Sequence, residues 1–149
     1  MNDQESLRLH NQLCFTVYAC SREMTKLYRP ILNSLQITYP QYLVLLVLWE
    51  HKNITVTELG NQLFLDSGTL TPLLKRLEDH QLILRKRSVE DERRVVISLS
   101  EKGEKLRERA LEVPPFLIEQ SGLTSEEYLK LLEEFQGLLT KLTAAKEEQ

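Results

Sequence analysis

The chain has 149 residues, 42% of them hydrophobic and 28% charged, with a formal net charge of −3; this length makes one domain with an adequate core, with room for helices that pack on a partner. No run approaches the roughly 18 consecutive apolar residues of a membrane span, and the polar, acidic opening Met-Asn-Asp-Gln-Glu-Ser lacks the pattern of a secretory signal, so a cytoplasmic protein is expected. The two cysteines, Cys14 and Cys20, and the scattered His10, His51 and His80 show no metal-ligand spacing, and neither a metal nor another cofactor is expected.

Leu7, Leu13, Val17, Met24 and Tyr28 recur at approximately helical spacing, and Pro30 closes this first helix. Six residues separate Cys14 from Cys20, a rise of about 9 Å and a rotation of about 120°. A disulfide needs Cα atoms within about 7 Å, so the two do not bond along one helix. Tyr18 lies one turn beyond Cys14 on the same face, where its phenol can donate to the sulfur and favour the reactive thiolate. Against this stands a bland reading, since cysteine is among the most buried residue types and most are inert. Tyr28 returns to nearly the same face but about 21 Å further along, so it can meet Cys14 only from a second chain. Tyr39 could join it there, or serve as a linker aromatic packed on the core.

A link through Ile37-Thr38-Tyr39-Pro40 leads to the run 41–49, apolar on nearly every side. It is too long for a buried strand and predicts the central helix. Ile54 to Leu63 reads as a short strand or turn, then a short helix capped by Thr55 or Thr57. Asp66, Ser67 and Thr69 are all good helix starters. Pro72 is tolerated only near a first turn, so the following regular helix is expected to begin near Thr69 after a looser turn. Two short helices joined by a tight turn form a helix-turn-helix.

Leu82 to Arg87 and Val95 to Leu99 read as two strands around a polar loop, the wing of a winged helix. Ser100 caps a helix to Glu112, which Pro114-Pro115 breaks. Ser125-Glu126-Glu127 opens the last helix, with a broad stripe of Tyr128, Leu131, Leu132, Phe135, Leu138, Leu139 and Leu142. The fold class expected is mostly α with a small β wing. It comprises one domain over 1–149, with a winged helix-turn-helix at about 37–100. Dimerisation helices are expected at about 1–30 and 113–149, although these could instead fold back on their own domain.

Between Phe64 and Leu99, seven basic and six acidic residues leave +1, while the rest of the chain holds −4. The local clusters count for more than this average. Ser67, Thr69, Thr71, Lys75 and Arg76 on the recognition element can bond phosphates or base edges. Arg85, Lys86 and Arg87 add charge on the first wing strand, and Arg93 or Arg94 can enter a narrow minor groove. Asp91 either braces a guanidinium of Arg93 or Arg94 and presets the wing tip, or is a solvated turn residue; it is not expected to touch DNA. A dimer would set two recognition helices about 34 Å apart on a pseudo-palindromic double-stranded operator.

The order of these elements, with Asp91-Glu92-Arg93-Arg94 in the wing, resembles the MarR family of bacterial transcription regulators. Four segments narrow the resemblance to the OhrR branch, the organic-hydroperoxide-sensing repressors. They are Asn11-Gln12-Leu13-Cys14-Phe15, Tyr39-Pro40-Gln41-Tyr42, Leu65 to Arg76 with its Leu-Asp-Ser-Gly-Thr-Leu-Thr-Pro, and Arg87 to Arg93. By that resemblance Cys14 is the peroxidatic sensor, Tyr28 and Tyr39 hydrogen-bond it from the other subunit, and Tyr18 belongs to the same pocket. The chain carries no cysteine at the resolving position in its C-terminal part, which resembles the one-cysteine type. That type needs a low-molecular-weight thiol, or overoxidation, to complete the switch. Cys20 is expected only to pack. The expected function is a homodimeric repressor that leaves its operator when an organic hydroperoxide oxidises Cys14. Its rivals are a repressor gated by a small aromatic ligand and a broader thiol-based regulator of oxidative stress or virulence. A stand-alone thiol peroxidase is disfavoured, because neither a resolving partner nor an arginine one turn from Cys14 is present.

Overall fold

The computed structural model describes residues 3–91 and 93–147. The chain forms two compact units, Met1–Val113 and Pro114–Gln149. The first opens with α1 (Asp3–Ser6), a 3-10 turn (Leu9–Asn11), α2 (Leu13–Leu27), α3 (Arg29–Ser34) and α4 (Tyr39–Glu50). The single first helix expected from the sequence is thus several. Gln12 stands in extended backbone before α2, with φ −94° and ψ 107°. Pro30 does not close a helix but sits in the first turn of α3, and Pro40 does the same in α4. A first-turn amide has no helical acceptor, so a proline there sacrifices no hydrogen bond.

The central helix is α4, as the apolar run predicts. Val44, Leu45 and Leu48 are fully buried in the core. Gln41 is the buried polar residue on this helix, at 3% exposure; its side-chain oxygen accepts the Thr38 backbone N–H at 2.8 Å, so its burial costs little. Around α4 come β1 (Asn53–Thr55), α5 (Val56–Leu63), α6 (Ser67–Asp79), β2 (Ile83–Arg87), β3 (Val95–Leu99) and α7 (Glu101–Ala110). Leu59 of α5, Leu70, Leu74 and Leu77 of α6, Ile83 and Ile97 complete the core.

The sheet has three antiparallel strands in the order β1-β3-β2, so the short Ile54 segment is a strand and pairs with the wing. Ile54 and Arg85 both lie opposite Ile97. Ser100 caps α7 as expected, its Oγ accepting the Gly103 N–H at 3.0 Å. Two α7 cations then close neighbouring helix ends. Lys102 Nζ donates to the His80 carbonyl at 2.9 Å and Arg109 to the Ser34 carbonyl at 2.8 Å, satisfying acceptors that a helix C-terminus leaves open.

In the second unit the adjacent prolines Pro114 and Pro115 stand in the first turn of α8 (Val113–Ser121), where they open a helix instead of only breaking one. Gly122 turns the chain with φ 71°. Glu127 accepts the Thr124 backbone N–H at 2.8 Å and Thr124 accepts the Glu127 N–H at 3.2 Å, a capping box that starts α9 (Ser125–Glu147). Leu131, Leu132, Phe135, Leu139 and Leu142 of α9 are exposed on the single chain.

Candidate functional site

The helix-turn-helix is built from local turn chemistry. Thr55 caps α5 and Glu58 answers it, the Thr55 N–H donating to Glu58 at 2.9 Å and the Glu58 N–H to Thr55 Oγ1 at 3.2 Å. α5 ends at Phe64, which adopts the left-handed region at φ 54°. The chain then folds back until the Leu65 N–H meets the Gly60 carbonyl at 2.9 Å. A Cβ on Gly60 would stand 2.7 Å from the Leu65 carbonyl oxygen, so the tightness of this turn requires glycine.

The next helix, α6, begins at Ser67, two residues earlier than expected. Asp66 supplies the reason: its carboxylate accepts the Thr69 N–H at 2.9 Å and the Thr69 hydroxyl at 3.1 Å. Pro72 consequently lies inside the helix. There it cannot donate to the Gly68 carbonyl, while the Thr71 hydroxyl donates to the Ser67 carbonyl at 2.7 Å. Leu70, Leu74 and Leu77 turn inward; Ser67, Thr69, Thr71, Lys75 and Arg76 are exposed. Thr69 and Thr71 spend their hydroxyl protons within the helix and offer a DNA partner only lone pairs. Ser67, Lys75 and Arg76 retain their donors.

Hydrogen bonds from Thr69, first its backbone N–H and then its hydroxyl, hold the Asp66 carboxyl below the usual carboxylate range. Glu58 is lowered likewise by the Thr55 hydroxyl and N–H. A depressed folded-state value contributes stability that is present above the unfolded value and lost as pH falls through the folded one. Acidification through the carboxylate range should therefore weaken the start of α6. Asp66→Asn, which still caps but does not titrate, should flatten that part of the loss in urea midpoints measured from neutral to acid pH. An unchanged slope would remove Asp66 from the acid response.

The wing carries Lys86, Arg87, Arg93 and Arg94 on exposed positions. Arg85 differs: its Nε donates to Glu78 Oε2 at 2.8 Å and a second nitrogen contacts the same oxygen, tying β2 to α6. Of the two sequence readings of Asp91, the exposed turn residue is the one that fits. Its carboxylate accepts the Arg93 backbone N–H at 3.0 Å, so it braces the wing's main chain and not a guanidinium. Ser88 closes the loop, donating its N–H to the Arg94 carbonyl at 2.8 Å and accepting the Glu90 N–H at 3.2 Å. Glu92 lies outside the described residues.

Cys14 is free and exposed in the first turn of α2. Tyr18 stands one turn on, 59% exposed. Arg22, not anticipated from the sequence, covers it. The guanidinium carbon is 5.4 Å from the ring centroid, and Nη1 donates to the phenol oxygen at 3.5 Å. Tyr28 and Tyr39 are brought together, ring centroids 4.8 Å apart, with Tyr42 at 6.1 Å from Tyr28. Because Tyr28 ends α2, it is about 21 Å along the axis from Cys14 of its own chain. Cys20 is also free and exposed rather than packed within its own chain. Among the described residues, no group of three His, Cys, Asp or Glu is placed to hold a metal, and no helix is long and apolar enough to cross a membrane.

The family described as transcriptional regulator SarA/Rot matches residues 26–109. The organic hydroperoxide resistance transcriptional regulator of Bacillus subtilis (strain 168) is 53% identical over 141 residues, covering 95% of this chain and 96% of that protein. Reduced AbfR bound to DNA is similar at 39% identity and a TM-score of 0.81, with 97% and 99% of the two chains covered. AbfR, from Staphylococcus epidermidis, has also been solved overoxidised on DNA, at 39% identity and a TM-score of 0.76 over 95% and 99% of the chains. A mutant MarR from E. coli complexed with operator DNA is 26% identical, with a TM-score of 0.76 over 85% and 93% of the chains.

Proposed function

Because the chain belongs to the MarR-type family of winged-helix transcription regulators, in the branch of the organic hydroperoxide resistance regulator, we propose that it is a homodimeric DNA-binding repressor that senses organic hydroperoxides through Cys14. One observation carries the reading. A free, exposed cysteine stands in a helix first turn, one turn before Tyr18, on a chain that also carries a preformed helix-turn-helix and wing.

In the reduced dimer, two α6 helices enter successive major grooves of a pseudo-palindromic operator. Ser67, Lys75 and Arg76 supply donors to phosphates and base edges, with Thr69 and Thr71 as acceptors. Lys86, Arg87, Arg93 and Arg94 serve the wing. Arg85 acts through its ion pair with Glu78. Arg87→Ala should lower the salt slope of operator binding by about one counterion. Arg85→Ala should leave that slope alone and cost about 1 kcal/mol of stability, the worth of a half-exposed pair. Reversed results in a salt titration would exchange the two assignments.

The exposed stripes of α2 and α9, with Leu13 and Phe15 on the former, supply the apolar area of the dimer. Across it, Tyr28 and Tyr39 of one subunit serve the sulfur of the other. The Cys14 thiolate attacks the distal oxygen of the hydroperoxide: an S–O bond forms, the O–O bond breaks, and the alkoxide takes a proton from water and leaves as an alcohol. With no cysteine beyond position 20, a low-molecular-weight thiol then displaces water from the sulfenic acid to give a mixed disulfide. Release is assigned to that species because overoxidised AbfR has been solved on DNA. Capping blocks Cys14 until a second thiol exchanges with the mixed disulfide, so the protein acts as a reversible switch, in the cytoplasm and without a cofactor.

The test is operator binding before and after a low dose of cumene hydroperoxide with a small thiol, beside a parallel titration with an aromatic carboxylate. Release by the oxidant and thiol alone supports the reading. Release by the carboxylate alone would make the protein a ligand-gated repressor.

A further inference from the structure

A groove of about 630 Å3 runs along α7 between the ends of α3 and α6. Both of those helices end in the same way. At α3 the Gln36 N–H donates to the Asn33 carbonyl at 3.0 Å and the Ile37 N–H to the Leu32 carbonyl at 3.1 Å. At α6 the Gln81 N–H donates to the Glu78 carbonyl at 2.8 Å and the Leu82 N–H to the Leu77 carbonyl at 3.0 Å. This paired closure puts one residue in the left-handed region, ordinarily a glycine. Here it is glutamine both times, Gln36 at φ 58° and Gln81 at φ 60°. The closure uses main chain alone, and a side chain in that region costs stability, so the helix ends gain nothing from the carboxamides. Both glutamines are exposed, and both line the groove.

Each carboxamide is joined by a cation. Lys102 is held at the Gln81 end by its bond to the His80 carbonyl, and Arg109 at the Gln36 end by its bond to the Ser34 carbonyl. Lysine and arginine each carry several N–H donors, so one bond to a helix end orients the cation and leaves donors for a ligand. Lys102 and Arg109 stand two turns apart on α7, a rise of about 10 Å. The floor is apolar, formed by the buried Leu35, Leu82 and Leu106. Lys105, at mid-length, is taken by Glu101 at 2.6 Å. We propose that the groove binds a linear dicarboxylate of about nine carbons. One carboxylate lies on Lys102 and Gln81, the other on Arg109 and Gln36, and the chain covers the leucines. An extended covalent chain advances about 1.2 Å per bond, so about eight bonds span the two ends. Asp79 also lines the groove, at the α6 end, and opposes the carboxylate there. None of the described residues of α2 lines it, so the site is independent of Cys14.

Isothermal titration of the full chain with straight-chain diacids of four, six, nine and twelve carbons, and with nonanoic acid, tests the assignment. Nonanedioate should bind about tenfold tighter than butanedioate or the monoacid, the worth of one added charge-assisted contact. The twelve-carbon diacid should bind less well than nonanedioate, and added salt should weaken both. Gln36→Gly and Gln81→Gly should each weaken nonanedioate about five- to tenfold, near the lower end for a hydrogen bond to a charged group. The same variants should raise Tm by a few degrees, because glycine relieves the left-handed position. A purely structural role for the glutamines predicts the rise in Tm without the loss of binding. Asp79→Asn should tighten binding, and Cys14→Ser should leave it unchanged. Absence of saturable diacid binding, an affinity indifferent to chain length, or a monoacid that binds as tightly would overturn the proposal. So would glycine variants that bind as wild type does, or a loss of binding in Cys14→Ser, which would move the site to the cysteine.

Discussion

Cys14→Ser is expected to bind the operator as wild type does and to stay bound when hydroperoxide and a small thiol are added, whereas wild type loses about 5- to 150-fold in affinity. That range corresponds to the roughly 1–3 kcal/mol typical of coupling between two sites. The substitution exchanges Sγ for Oγ at an exposed position, so stability should move by no more than about 0.5 kcal/mol. A serine hydroxyl is not ionised at neutral pH and does not attack a peroxide, which isolates the nucleophile from everything else in the helix. Cys20→Ser is the matched control and should release as wild type does. Fluorescence anisotropy of a labelled operator reads all three proteins. Release by Cys14→Ser would mean that the signal enters elsewhere, and retention by Cys20→Ser would transfer the role to the second cysteine. Tyr28→Phe sharpens the result: a slower Cys14 oxidation with intact operator binding places that phenol at the sulfur of the partner subunit, and an unchanged rate removes it.

The DNA-reading end of the molecule is far more legible in the sequence than the sensing end, for a physical reason. Helix starts and tight turns are written in neighbouring residues. Thr55 with Glu58, Asp66 with Thr69 and Ser100 with Gly103 are each settled within three positions, so spacing narrows each start to a few candidates, Thr55 or Thr57 for α5 and Asp66, Ser67 or Thr69 for α6. The start of α6 lies two residues before the position that Pro72 suggests, because the Asp66 cap outweighs the proline. Prolines carry a second ambiguity. Pro30, Pro40, Pro114 and Pro115 each stand in the first turn of a helix, whereas in the pattern of apolar residues they read only as breaks. Long-range pairings leave no local trace. Nothing in the sequence of β2 says that Arg85 meets Glu78 while Arg87 has no partner among the described residues. Nothing in the spacing of Tyr28 and Tyr39 says that their rings touch. Arg22 is within reach of such reasoning, one turn past Tyr18, but on a solvated helix face an arginine is ordinary.

Gly103→Ala should be the most damaging single methyl in the chain, and Gly137→Ala should act in the opposite direction. A Cβ on Gly103 would stand 2.1 Å from the Leu82 carbonyl oxygen and 3.0 Å from a Leu99 methyl. The oxygen is backbone, held in place by the Ser100 N–H at 3.1 Å, so it has nowhere to go, and α7 must lift from the β2–β3 edge. The Trp49 indole would then lose its bond to the Gly103 carbonyl, now 3.0 Å, and with it the direct tie from the central helix. Alanine is worth about 1 kcal/mol more than glycine in a helix interior, yet overpacking against main chain costs about 3 kcal/mol or more. The balance is a loss of at least about 2 kcal/mol, or about 4–8 °C in Tm for a chain of this size. At Gly137 in α9 nothing lies within 4 Å of the added methyl, so only the helix gain remains and Tm should rise by a few degrees, about 2–4 °C. The pair separates steric contact from helix propensity in one calorimetric comparison. An unchanged Tm for Gly103→Ala would mean that α7 does not approach Leu82 this closely.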